Sequence, residues 1–269
     1  MKPRIVFNQI SSLAKRDFHI WQSYRTQVTT SLLGILFGLV SWAVLGHYSN
    51  QPVPEYDTTY VSFLIMGILI YNFSVPIATG LQNKLNPATL ETLFMSGLGK
   101  SVFVVGSLTF NMLFTAATII PQLLIALIWF GVKLNVDYLS LVLSIIISLV
   151  IVVSLAMVDL GVKVVTKQAD PILWAIIIAQ GIASGMLYPL QALNSYVPNA
   201  STIAFVIPFT WIYHLIRLST LGGASLTDPT VALTFLGAIA YCALLVPISY
   251  GIMKWGISRA KKDGTLGWY

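Results

Sequence analysis

The chain has 269 residues, of which 57% are hydrophobic and 9% charged, with a formal net charge of +6 and a pI near 9.4. Cys242 stands alone, which excludes an internal disulfide and any cysteine metal cluster. No loop between apolar stretches is long enough to fold as a soluble domain.

Charges fall at intervals that cut the chain into membrane-length pieces. None occurs between Arg25 and Glu55, Asp57 and Lys84, Lys100 and Lys133, or Asp137 and Asp159. The same holds from Asp170 to Arg217 and from Asp228 to Lys254. A helix rises about 1.5 Å per residue and the bilayer core is about 30 Å thick, so a crossing takes roughly 20 apolar residues. The pattern predicts an all-α membrane protein with about six transmembrane helices. With the N-terminus placed in the cytoplasm, only Lys133 and Arg217 of the 15 basic residues fall outside. This positive-inside bias predicts a multi-pass protein of the cytoplasmic membrane with both termini cytoplasmic. It also accounts for the basic surplus without nucleic acid as a partner.

Residues 5–25 form the first predicted element. Val6, Ile10, Leu13, Ala14, Ile20, Trp21 and Tyr24 share one side of a helix, and Lys15, Arg16 and His19 lie on the other. Such a helix suits the headgroup plane and contact with membrane lipids. Asp17 falls within the apolar stripe, which suggests a specific partner there. The first crossing is expected over 27–47 and reads as an uncleaved signal anchor, because its apolar run starts late and no small-residue cleavage site follows. The second is expected over 59–80.

A cytoplasmic connection follows, and within it residues 86–98 predict a short helix. Asn86 can cap it, Pro87 suits the first helical position, Glu91 complements the helix dipole and Gly97 can end it. Leu90, Leu93 and Phe94 make an apolar ridge that fits either a cytoplasmic partner or the membrane surface. Further crossings are expected over 102–130, over 138–161 and from Pro171. Asp159 is read as pairing with Lys163 one turn on. From Ser184 to Gly223 the prolines at 189, 198 and 208 interrupt the pattern. Non-helical backbone at membrane depth survives only where protein or water covers it, so residues 188–223 predict a re-entrant external helical hairpin. Arg217 is expected at the outer interface, snorkelling or paired with Asp228. The last crossing spans about 230–253.

Catalytic patterns are weak. Gly99-Lys100-Ser101 lacks the earlier glycine, strand and soluble domain of a phosphate-binding loop. Ser184 between glycines, with His214 as a base, could suggest a buried hydrolase, yet small residues in membrane helices usually mark close packing. His19, His47 and His214 show no zinc spacing.

Taken together, the Arg16-Asp17-Phe18 helix, the Thr89-Leu90-Glu91-Thr92-Leu93 segment and the Ser184 to Gly223 stretch resemble the permease of type-2 ABC transporters. Ala88 and Gly97 stand where that family's loop usually has glycine and proline. Tyr188-Pro189, Val197-Pro198, Pro208-Phe209-Thr210 and Arg217 follow the order of its later motif, and the likeness extends over almost the whole chain, 1–269. The resemblance implies a non-catalytic exporter subunit that pairs with a second permease subunit, like or unlike itself. Separate ABC ATPase subunits would bind ATP and Mg, leaving no cofactor in this chain. It further implies ATPase coupling through Arg16, Asp17, Thr89, Leu90, Glu91, Leu93 and Phe94. A route lined by the first, second and fifth crossings would offer Ser41, Tyr71, Asn72, Ser74, Thr79, Gln180, Ser184 and Tyr188 to a lipid, drug-like or glycan substrate. Hydrogen bonding between helices is the alternative role of these polar residues. The alternative function is a secondary transporter or channel working without ATP, although the spans offer no midplane carboxylates for coupling.

Overall fold

The computed structural model describes residues 3–49, 52–80, 100–166, 181 and 183–262. Helix α1 (Pro3–Ser23) is followed at once by α2 (Arg25–Ser49). A small antiparallel hairpin comes next, with β1 (Pro52–Val53) paired to β2 (Thr58–Thr59) around a 3₁₀ turn at Pro54–Tyr56. Asp57 takes a left-handed conformation at φ 47° to close that turn. Then come α3 (Tyr60–Ala78), α4 (Lys100–Ile128) and α5 (Tyr138–Thr166). A second 3₁₀ turn (Leu190–Ser195), short helices α6 (Ala200–Ala204) and α7 (Pro208–Thr220), and the long α8 (Pro229–Lys262) complete the fold.

Five of these helices, α2, α3, α4, α5 and α8, are long and apolar enough to cross a membrane. The crossing expected from Pro171 falls largely outside the described residues, as does the whole 86–98 segment. Helix α7, with 13 residues, reaches only about 20 Å and falls short of the roughly 30 Å core.

The caps follow local chemistry. Thr59 Oγ1 accepts the Ser62 amide at 3.4 Å, opening α3. Asp137 Oδ2 accepts the Ser140 amide at 2.9 Å, and Asp228 Oδ1 accepts the Thr230 amide at 2.9 Å. Ser140 and Thr230, through the side-chain hydroxyl first and the amide second, hold the two carboxyls below the ordinary carboxylate range, and the acids sit where helix dipoles favour them. Pro208 and Pro229 occupy first helical positions, where a missing N–H costs nothing.

Helix α3 is the axis of the bundle. Of its crossing window 67% is buried, against 17% for each of α2, α4 and α8. It packs against α2, α4, α5 and α7, so an all-round apolar sequence there matches an all-round protein environment. The outer helices leave large apolar side chains such as Phe37, Ile128 and Leu244 exposed, as a lipid-facing surface requires.

Two contacts show how small residues bring backbones together without a hydrophobic drive between helices. Gly161 of α5 meets Gly256 of α8, and a Cβ at Gly161 would lie 2.8 Å from Met253 Cα. Ser140, Ser144 and Ser148 run one turn apart along α5, all fully buried. From this stripe Ser144 Oγ reaches Ser219 Oγ of α7 at 2.7 Å and donates to the Leu215 carbonyl at 3.1 Å.

Helix α1 lies along α4. Leu13 is buried against Gly106, and Phe18 meets Phe110 edge-on with centroids 6.4 Å apart. Its apolar stripe is thus partly covered by protein, while Ile20 and Tyr24 stay exposed.

Candidate functional site

The broken backbone after the 167–180 segment is held by a cluster of buried and part-buried hydrogen bonds from other elements. Helical residue Ala183 gives way to bends over 184–188, with Gly185 at φ +76°. A helix end leaves carbonyls without intrahelical donors, and burial makes each one costly. Here side chains supply the donors. Arg217 Nη1 donates to the Gly185 carbonyl at 2.5 Å and Nη2 to the Met186 carbonyl at 2.7 Å. Tyr60 Oη donates to the Leu187 carbonyl at 2.8 Å. Three consecutive carbonyls are satisfied from two other helices.

Arg217 is 1% exposed, so it neither snorkels nor pairs with Asp228, which caps α8 instead. Its guanidinium lies over the Phe63 ring at 3.6 Å, and Nη2 also donates to the Phe63 carbonyl at 3.0 Å. Carbonyl dipoles and an aromatic face together replace the water that a buried cation loses. Gly67 makes the approach possible. A Cβ there would overlap the guanidinium and come within 2.5 Å of the Met186 carbonyl.

Next to this knot the hairpin contributes Glu55 and Tyr56. The Tyr56 hydroxyl lies 2.9 Å from His214 Nδ1, and Glu55 Oε1 is 3.7 Å from the same nitrogen. Burial raises the Glu55 carboxyl above its ordinary range, outweighing the Tyr56 hydrogen bond and the Arg217 charge, which both lower it. Burial likewise raises the Tyr56 phenol, aided by the neighbouring Glu55. His214 therefore faces Tyr56 and Glu55 through Nδ1, and Ser184 is fully buried. Among the described residues no group of three His, Cys, Asp or Glu could hold a metal ion.

The residues singled out from sequence fall in several places. Arg16 Nε and Nη2 donate to Asp17 Oδ1 at 3.1 and 2.9 Å, giving the buried Asp17 a partner within α1. Thr89, Leu90, Glu91, Leu93, Phe94 and Gln180 lie outside the described residues. Ser41, Ser74 and Thr79 each donate to a carbonyl one turn back in their own helix, at 2.8, 2.8 and 3.0 Å. Asn72 Nδ2 donates to Gln122 Oε1 of α4 at 2.7 Å, a bond between helices. Tyr71 and Tyr188 are half-buried. Asp159 is buried in α5.

Sequence reasoning missed Glu55, Tyr56, Phe63, Gly67 and the role of Arg217. Two signals were available: Arg217 is the sole charge between Asp170 and Asp228, and Gly67 is an isolated glycine in an otherwise bulky apolar run. Compared with protein families and with curated proteins, the chain matches none.

Proposed function

We propose that this chain is the membrane-spanning subunit of an ATP-driven exporter, powered by separate ATPase subunits and working as a pair of permease subunits. Six crossings, the fifth running from Pro171, would place both termini in the cytoplasm. The 52–59 hairpin and the broken 184–207 segment would then face outside. Residues 86–98 would form the coupling helix, and a lipid, drug-like or glycan substrate would pass between the two subunits.

One observation supports this reading above the others: α1 is packed against the N-terminal half of α4 through Leu13 at Gly106 and Phe18 at Phe110. Helix α4 begins at Lys100, directly after the 86–98 segment. An amphipathic helix fixed at the foot of the third crossing would give, together with a coupling helix at 86–98, a docking surface of two parts. A push on that surface would travel through α4 into α3, which it contacts. At the opposite end Arg217 ties α7 to α3 and to the broken segment, and this knot would serve as the closed outward gate of an exporter.

Affinity purification from mild detergent tests the proposal, with recovery of a separate ATPase as the expected result. Glu91→Arg should abolish ATP-dependent transport while leaving expression and gel-filtration behaviour unchanged. Transport by the purified chain alone in proteoliposomes, without ATP, would instead establish the secondary-transporter alternative.

A further inference from the structure

We infer that the cleft between the 52–59 hairpin and helices α6 and α7 is a binding site for an alkylammonium group. The cleft measures about 390 Å³, and Glu55, Gln191, Ser201, Phe205, Trp211 and His214 are among its lining residues. A volume of this size falls within the usual range for small-ligand pockets. Glu55 carries the sole formal charge among the lining residues, which include no Lys or Arg, and Arg217 acts on it from outside the cleft. The carboxylate is 12% exposed, and its Oε2 is buried with no hydrogen-bond partner. Such a group gains from a cation more than from any neutral ligand.

The walls suit an alkylated cation rather than a bare metal ion. Phe205 packs edge-on to Trp211 with centroids 4.7 Å apart and to His214 at 5.4 Å. Trp211 Nε1 donates to the Phe205 carbonyl at 2.8 Å, which fixes the indole against the backbone that carries Phe205. A rigid aromatic corner beside one carboxylate is what an ammonium with methyl or methylene substituents needs, because ring faces attract the charge and accept the carbons. A metal ion would need several oxygen ligands, and one carboxylate does not provide them. The inference does not depend on ATP-driven transport, since the cleft is built by this chain alone.

The same ammonium chemistry is carried by free amines and by lipid headgroups, so the experiment separates the two. Radiolabelled choline is titrated onto the full chain in an uncharged detergent, with its neutral carbon isostere 3,3-dimethylbutan-1-ol as competitor. Saturable choline binding is expected, at least about tenfold weaker in Glu55→Gln, with no displacement by the neutral isostere. Asp228→Asn, which alters a carboxylate outside the cleft, should bind as wild type. Repeating the titration in nanodiscs of phosphatidylglycerol, with and without phosphatidylethanolamine, assigns the source: competition by phosphatidylethanolamine marks a headgroup site, and its absence a site for free amines. Equal binding by Glu55→Gln, equal displacement by the neutral isostere, or no saturable binding would overturn the inference. A failed ATPase pull-down would leave it untouched.

Discussion

Arg217 engages Phe63 twice, its guanidinium carbon 3.6 Å from the ring centroid and its Nη2 donating to the Phe63 carbonyl at 3.0 Å. In an α-helix the carbonyl of residue 63 points toward residue 67, four positions on. Residue 67 is Gly67, so no side chain shields that carbonyl, and the cation enters from the side. The other bonds of Arg217 go to the Gly185 and Met186 carbonyls. One side chain thus fixes α7, α3 and the broken segment in a single register. The order of dependence runs from a missing Cβ, to an exposed carbonyl, to a cation that satisfies a helix end.

Removing the guanidinium should therefore cost far more than a surface charge would. Arg217→Met leaves two buried carbonyls of the broken segment without donors and should destabilise the protein by about 3 kcal/mol or more. Arg217→Lys keeps the charge but replaces a planar fork with one nitrogen, and it should recover less than half of the loss. Unfolding of the detergent-solubilised protein by dodecyl sulfate measures both. A Met variant within about 1 kcal/mol of wild type would show that water or lipid replaces the donors.

Gly67→Ala should act through the same knot. The new methyl meets the guanidinium and the Met186 carbonyl, and the overpacking should cost about 1–3 kcal/mol. In a double-mutant cycle with Arg217→Met the losses should fall short of additivity by more than about 0.5 kcal/mol, because the second change removes part of the clash. Additive losses would mean that the helices shift apart and do not press on Arg217.

Much of the scaffold was legible in the sequence, and the reasons are physical. Charge-free intervals reflect the cost of charge in hydrocarbon, so the five long helices emerge near their expected positions. Prolines at 189, 198 and 208 announced an interrupted segment, and the structure has short turns and helices there. The amphipathic stripe of α1 was equally visible, but not that α4 would cover part of it through Gly106. The site was mostly hidden. An arginine in an apolar stretch reads as a snorkelling cation, because nothing local reveals three carbonyls from residues 63, 185 and 186. Glu55 and His214 lie 159 positions apart, and their meeting depends on how the hairpin folds onto α7.

The α5–α8 seam offers a test with an internal control. A Cβ at Gly256 would run into the Gly161 backbone, whereas one at Gly251 would meet nothing within 4 Å. Gly256→Ala should destabilise by about 1–3 kcal/mol, since backbone cannot give way as a side chain can. Gly251→Ala should be neutral or stabilising by up to about 1 kcal/mol, through reduced freedom of the unfolded chain. The same detergent unfolding assay reads both. Equal behaviour of the two variants would mean that the helices do not approach as closely as the glycines allow.

Glu55 makes the stability of the hairpin end depend on pH in a defined direction. Burial raises its folded-state pKa, so the folded chain holds the proton to higher pH than the unfolded chain, whose reference value is 4.5. The associated stability is fully present below that reference and is lost as pH rises through the folded value. Glu55→Gln mimics the protonated form at every pH. Its melting temperature should match wild type at about pH 4, exceed it as pH rises through the folded value, and hold that lead up to about pH 8, because the wild-type carboxylate is then ionised against its buried surroundings. A melting-temperature series on both proteins across that range measures the difference. A wild type more stable than Glu55→Gln at about pH 8 would reverse the assignment, making attraction to Arg217 stronger than the cost of burial.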